Sequence, residues 1–187
     1  MRAIFSSFVA GLGMLACGNA AAAPAQLYEK SVVISWSEAR EQTSSALPDG
    51  AARSVTRNGE FSVYISSAGR TFNRLTFSGA SMGRRGQMRS GSSEQVNGEG
   101  AGRARSVSFS GRTMTAVSPM QGGARRILVT FDNGFSGCSA EVLTGKAGGA
   151  SKIGSGSLMN PGTRVEILSV KTGAATCKVQ SGNVFGN

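Results

Sequence analysis

The chain contains no histidine, and that absence excludes more chemistry than any residue present suggests. Without imidazole there is no Ser-His-Asp or Cys-His nucleophilic machinery, and no His-ligated zinc. Gly134-Phe135-Ser136-Gly137 comes near a G-x-S-x-G nucleophile elbow, but its spacing differs and no base accompanies it, so it reads as a hairpin loop. Acidic residues are few: ten Asp and Glu stand against 20 Lys and Arg. The acids are scattered, and only Glu38 and Glu41 form a close pair. On a helix they would share a face, and such a pair is usually solvated rather than a glycosidase couple. Aromatics are scarce too, with one Trp and two Tyr.

Cofactor motifs are equally thin. Thr144-Gly145-Lys146-Ala147 lacks the upstream Gly and the downstream Ser/Thr of a phosphate-binding loop. Gly98, Gly100 and Gly102 follow no strand, so they form no dinucleotide fingerprint. Asp132-Asn133-Gly134 offers a single carboxylate, too few for calcium. The sequence therefore predicts a protein that is not an enzyme and binds no cofactor or metal.

What is present begins with an address. Met1-Arg2-Ala3 carries one positive charge, the apolar run Ile4 to Ala16 follows, and small residues fill Asn19 to Ala25. That order is the n-region, h-region and cleavage region of a secretory signal peptide, expected over 1–25. The apolar run falls short of the roughly 20 residues that span a bilayer. Ala23-Pro24-Ala25 before Gln26 fits an A-x-A cleavage site, and Ala20-Ala21-Ala22 before Ala23 offers a second. Met14-Leu15-Ala16-Cys17 also resembles a lipobox, in which Cys17 would be lipidated and anchored. The expected location is the periplasm or the medium.

Residues 26–187 suffice for one domain with its own core. Past the leader only Cys138 and Cys177 remain, and an even pair in an oxidising compartment reads as one disulfide. The formal charge is +10, with arginines outnumbering lysines by about three to one. That excess suits anionic partners: acidic polysaccharide, lipopolysaccharide or a membrane surface. Export makes nucleic acid the least suited. A basic surface serving solubility alone is the plain alternative.

Period-two alternation dominates beyond residue 26. Strands are expected at Ser31–Trp36, Glu60–Ser66, Arg70–Ser78, Ala104–Ser110, Arg112–Met120, Arg125–Phe131, Cys138–Thr144, Val165–Val170 and Ala174–Val179. Turns are expected at Ala68-Gly69, Gly111, Asp132-Asn133-Gly134 and Thr172-Gly173. Cys138 and Cys177 fall on inward faces. A helix is expected only over Glu38–Leu47, ended by Pro48-Asp49-Gly50. The lone Trp36 reads as packing or as a sugar-stacking platform. The fold class predicted is all-β, an antiparallel sandwich of about eight or nine short strands with one disulfide and at most one short helix.

One stretch departs from alternation. Ser81 to Arg103 is almost devoid of apolar residues and is expected to be a mobile basic Gly/Ser/Arg loop. Arg84, Arg85 and Arg89, with Arg103 and Arg105 at its far edge, are the candidate binding residues for an anion.

The strings YEKSVVISWSE (28–38), VYISSAGRTF (63–72), GARRILVTFDNGFSGCSAEV (123–142) and CKVQSGNVFG (177–186) resemble small exported proteins of soil-dwelling alphaproteobacteria. The resemblance spans most of the chain after the leader and implies a secreted single domain with the same late cysteine pair; it implies no activity. The expected function is a binding module for anionic envelope or extracellular polymers. The alternatives are a protein-interaction module, such as a periplasmic inhibitor or chaperone, and a small outer-membrane barrel. The barrel fits poorly, because the expected strands are shorter than the roughly 9–11 residues required and aromatics for the girdles are few.

Overall fold

A computed structural model describes residues 22–47, 49–82, 87–97, 106–120, 123–144, 151–153 and 165–186. The expected leader up to residue 21, including Cys17, lies outside them. Alternating burial produces ten strands among the described residues: β1 (Lys30–Ser44), β2 (Arg53–Ile65), β3 (Thr71–Met82), β4 (Met88–Asn97), β5 (Ser106–Ser110), β6 (Thr113–Met120), β7 (Gly123–Phe131), β8 (Cys138–Thr144), β9 (Ser151–Ile153) and β10 (Val165–Ser181). They form two antiparallel sheets, one in the order β4-β3-β2-β1-β10-β9 and one in the order β5-β6-β7-β8. The sandwich is all-β as expected. Among the described residues each sheet ends in two unpaired edges, so these strands do not close into a barrel.

Apolar residues from both sheets fill the space between them. Val32, Ile34, Trp36, Phe61, Val63, Ile65 and Leu75 of the larger sheet meet Phe109, Met114, Ala116, Ile127, Val129, Phe131 and Val142 of the smaller. At one end Ala23 and Leu27 join this core, carried by a single 3-10 turn at Ala25–Leu27. At about 25 cal/mol per Å² of apolar surface removed from water, this layer is the main source of stability.

Three expectations are corrected. The helix expected over Glu38–Leu47 is strand up to Ser44, because β1 continues its alternation: Glu38, Arg40, Gln42 and Ser44 are buried while Ser37, Ala39 and Glu41 are exposed. Polar residues at inward positions concealed the period. Glu38 and Glu41 therefore lie on opposite faces. The turn expected at Thr172-Gly173 is a bulge within one 17-residue strand, β10, where the register against β1 slips between Trp36 and Glu38. A Cβ on Gly173 would displace the Ser37 hydroxyl. The loop expected over Ser81–Arg103 is instead strand over Met88–Asn97, paired to β3 from Asn73↔Asn97 to Met82↔Met88. An edge strand with little to bury needs no apolar alternation, so its sequence imitates a loop.

Cys138 at the start of β8 and Cys177 on β10 form the expected disulfide, with Cα atoms 5.5 Å apart, and so tie one sheet to the other. Nearby, the Thr172 hydroxyl donates to the Val142 carbonyl at 2.9 Å. The β7–β8 loop is closed by Asp132, whose carboxylate accepts from the Gly134 and Ser136 amides at 3.0 and 2.9 Å and from the Ser136 hydroxyl at 2.8 Å. Those bonds hold its pKa below the usual carboxylate value, the Ser136 amide contributing most. Phe135, at positive φ, folds back against Phe131 with ring centroids 5.4 Å apart.

Candidate functional site: an arginine-rich layer between the sheets

The inward residues of β1 change character along its length. Val32, Ile34 and Trp36 are apolar; Glu38, Arg40, Gln42 and Ser44 are polar and equally buried. Register then decides which charges meet. Arg57 on β2 lies directly across from Glu38, Arg40 is two residues along β1, and Arg125 reaches across from β7 in the facing sheet. Arg125 Nη2 donates to Glu38 Oε2 at 2.5 Å. Arg57 donates to Oε1 through Nη2 at 2.9 Å and Nε at 3.1 Å, and Arg40 Nε donates to the same oxygen. One carboxylate thus serves three guanidinium groups, and among the described residues the layer carries an excess of two positive charges.

Glu38 is 0% exposed and Arg125 2%. Burial alone would raise the carboxyl pKa, but Arg125, Arg40 and Arg57 together outweigh it and lower it to about 2. Glu38 is therefore a fixed anion with both oxygens engaged, which suits an anchor rather than a proton donor. Burial pushes Arg57 down to about 10 and lowers Arg125 as well; both remain charged at neutral pH, with less compensation than burial demands.

Aromatic faces supply part of it. The Arg57 guanidinium sits 3.6 Å from the Phe77 ring centroid, and that of Arg125 lies 4.7 Å from the same ring and 5.6 Å from Trp36. Trp36 meets Phe77 edge-on at 5.9 Å. Such contacts contribute about 0.5–2 kcal/mol each. Trp36 is a core residue of this layer, 4% exposed, and not an exposed platform. Two buried donors, Arg125 Nε and Trp36 Nε1, have no acceptor among the described residues.

The larger sheet is wider than the smaller one, and the inward face of β3 and β4 extends past the covered core. There Arg57, Phe77, Gly79, Arg89 and Gly91, with Ser78, Ser81, Ser90 and Ser92, line a shelf of about 250 Å³. A groove of about 490 Å³ crosses the opposite, outward face, bordered by Ser35, Ser37, Asn58, Glu60, Thr76 and Thr176; it carries one acid and no base.

Of the five arginines expected to bind an anion, only Arg89 falls within the described residues. It is exposed on β4 and borders the same shelf as Arg57. Arg84, Arg85, Arg103 and Arg105 lie outside the described residues. The sequence reading missed Glu38, Arg40, Arg57 and Arg125 as a group. The available signal is phase: each continues the inward parity set by apolar residues of its own strand, such as Val32 and Ile34 on β1, Phe61 and Val63 on β2, and Ile127 and Val129 on β7.

Compared with family models, with curated proteins and with solved structures, the chain matches none.

Proposed function

We propose that this protein is an exported, non-catalytic binding module for anionic polymers of the cell envelope or its surroundings, working in the periplasm or the medium. The observation that supports this reading is the charge imbalance between the sheets among the described residues: three arginines, one carboxylate and two buried donors without acceptors there. Buried positive charge in excess favours an anion nearby, and Arg57 extends the imbalance to an open shelf that Arg89 also borders. Guanidinium groups suit the task, because their planar donors match carboxylate and phosphate groups two bonds at a time.

The test is chromatography of the purified protein on immobilised acidic polysaccharide, lipopolysaccharide and anionic vesicles, developed with a salt gradient. Retention on one of these surfaces that salt releases is the expected result. Elution in the void from all three would reject the reading.

A further inference from the structure

Gly79 of β3 and Gly91 of β4 are paired directly across the strands, and Gly79 is in turn paired with Arg57. Two adjacent glycines leave the middle of the shelf as bare backbone. Gly79 is required by the fold itself, at φ +122° with an added Cβ 2.8 Å from both the Arg57 Cα and the Thr56 carbonyl oxygen, whereas a Cβ on Gly91 would meet nothing within 4 Å, so packing does not demand glycine there. Glycine inside a strand weakens it and commonly marks a place where another group comes close to the backbone. Phe77, Arg57 and Arg89 are among the residues that line this floor. The volume is below the roughly 300–1,000 Å³ of pockets for drug-sized ligands, and the shelf lies against β4, an open edge of the sheet. The floor leaves room for a sugar ring, the arginines suit a planar anion, and the position of β4 at the edge of the described sheet suits a chain that continues beyond the site.

We infer that this shelf is a subsite for one carboxylate-bearing sugar unit of an acidic polysaccharide, its ring on the Gly79–Gly91 floor and its carboxylate between Arg57 and Arg89. This rests on the anionic-polymer reading and names its ligand class. The test uses the purified chain with galacturonate oligomers, the neutral galactose oligomers and inorganic phosphate, binding being followed by calorimetry and by amide shifts. Galacturonate is expected to bind, to shift residues 79–81 and 89–92, and to lose at least tenfold in affinity in both Gly91→Val and Arg89→Ser, while galactose does not bind. Gly91→Val fills the floor without removing a charge, so unchanged affinity in that variant would overturn the subsite. Phosphate binding in place of galacturonate would overturn the carboxylate assignment. Polymer retention that survives both substitutions would overturn the subsite and leave the broader reading standing, whereas absence of any retention defeats both.

A second inference rests on a different observation. Ala23 is 6% exposed and belongs to the core, the Pro24 carbonyl accepts from the Leu27 amide at 2.9 Å, and the Ala25 carbonyl accepts from the Tyr28 amide at 3.0 Å. A chain cut before Gln26 would lack all three residues. We infer that the leader is removed between Ala22 and Ala23, after Ala20-Ala21-Ala22, so that the mature chain begins with a residue the core uses. Intact-mass analysis of the protein exported by a bacterial host expressing the full chain is expected to give a start at Ala23. A start at Gln26, or a lipid-bearing Cys17, would overturn this inference; an uncleaved chain kept in the cytoplasm would overturn export itself.

Discussion

Glu38 is the residue on which the inter-sheet layer depends, since three cations share its two oxygens. Glu38→Gln leaves those cations buried without their counterion and is expected to cost about 3–5 kcal/mol in urea unfolding. Arg125→Met should cost clearly less, about 1–2 kcal/mol, because two arginines still hold the carboxylate and a buried cation is replaced by an apolar chain. Acid provides an independent check. The folded pKa of Glu38, about 2, lies below its ordinary value of 4.5, so the unfolded chain takes up the proton first. The resulting stability is complete above pH 4.5 and drains away as pH falls to about 2, on the order of 3 kcal/mol in all. Urea midpoints measured across that range should fall steeply in the parent and much less in Glu38→Gln.

At the scale of elements, alternation made most strands legible. Cys138–Thr144 was placed to the residue, and β7 was missed only by its first two positions. Errors arose where polarity and phase disagree. The second half of β1 presents Glu38, Arg40 and Gln42 inward, a composition that reads as an exposed helix unless the parity of Val32 and Ile34 is carried forward. β4 failed in the opposite way: on this edge strand the residues from Met88 to Ser92 are all exposed, so burial imposes no period there. The candidate site was illegible for a related reason, because a cluster assembled from β1, β2 and β7 depends on register across two sheets, which local patterns do not contain. Two predictions belong here. The Cys138–Cys177 bond closes a separation of 39 residues, for which chain entropy gives about 4 kcal/mol; the double Cys→Ser variant should lose stability of that order in denaturant. Deleting Ala23–Ala25 removes the turn that seats Leu27 and should lower stability by about 1–2 kcal/mol, measured between chains starting at Ala23 and at Gln26.

For the molecule as a whole, the +10 charge and the imbalance of the buried layer act in the same direction. Both favour anions in the folded state more than in the unfolded chain. Any anion that binds the folded state at the shelf should stabilise it by about 2.7 kcal/mol at a hundredfold excess over its dissociation constant, and so raise the melting temperature beyond what ionic strength explains. Comparing a uronate oligomer with chloride at equal ionic strength is the measurement, and equal melting temperatures would deny specific binding.

The pairing of β1 has a consequence in time. Its two neighbours come from opposite ends of the chain: Lys30 pairs with Ile65 on one side and with Ser181 on the other. The smaller sheet, by contrast, is assembled entirely from the continuous stretch 106–144. A chain that emerges N-terminus first, from a ribosome or through a membrane pore, can complete the smaller sheet early, while one side of β1 stays unpaired until the last strand arrives. Completion of the larger sheet is then gated by the arrival of β10, and closure of such distant contacts is slow.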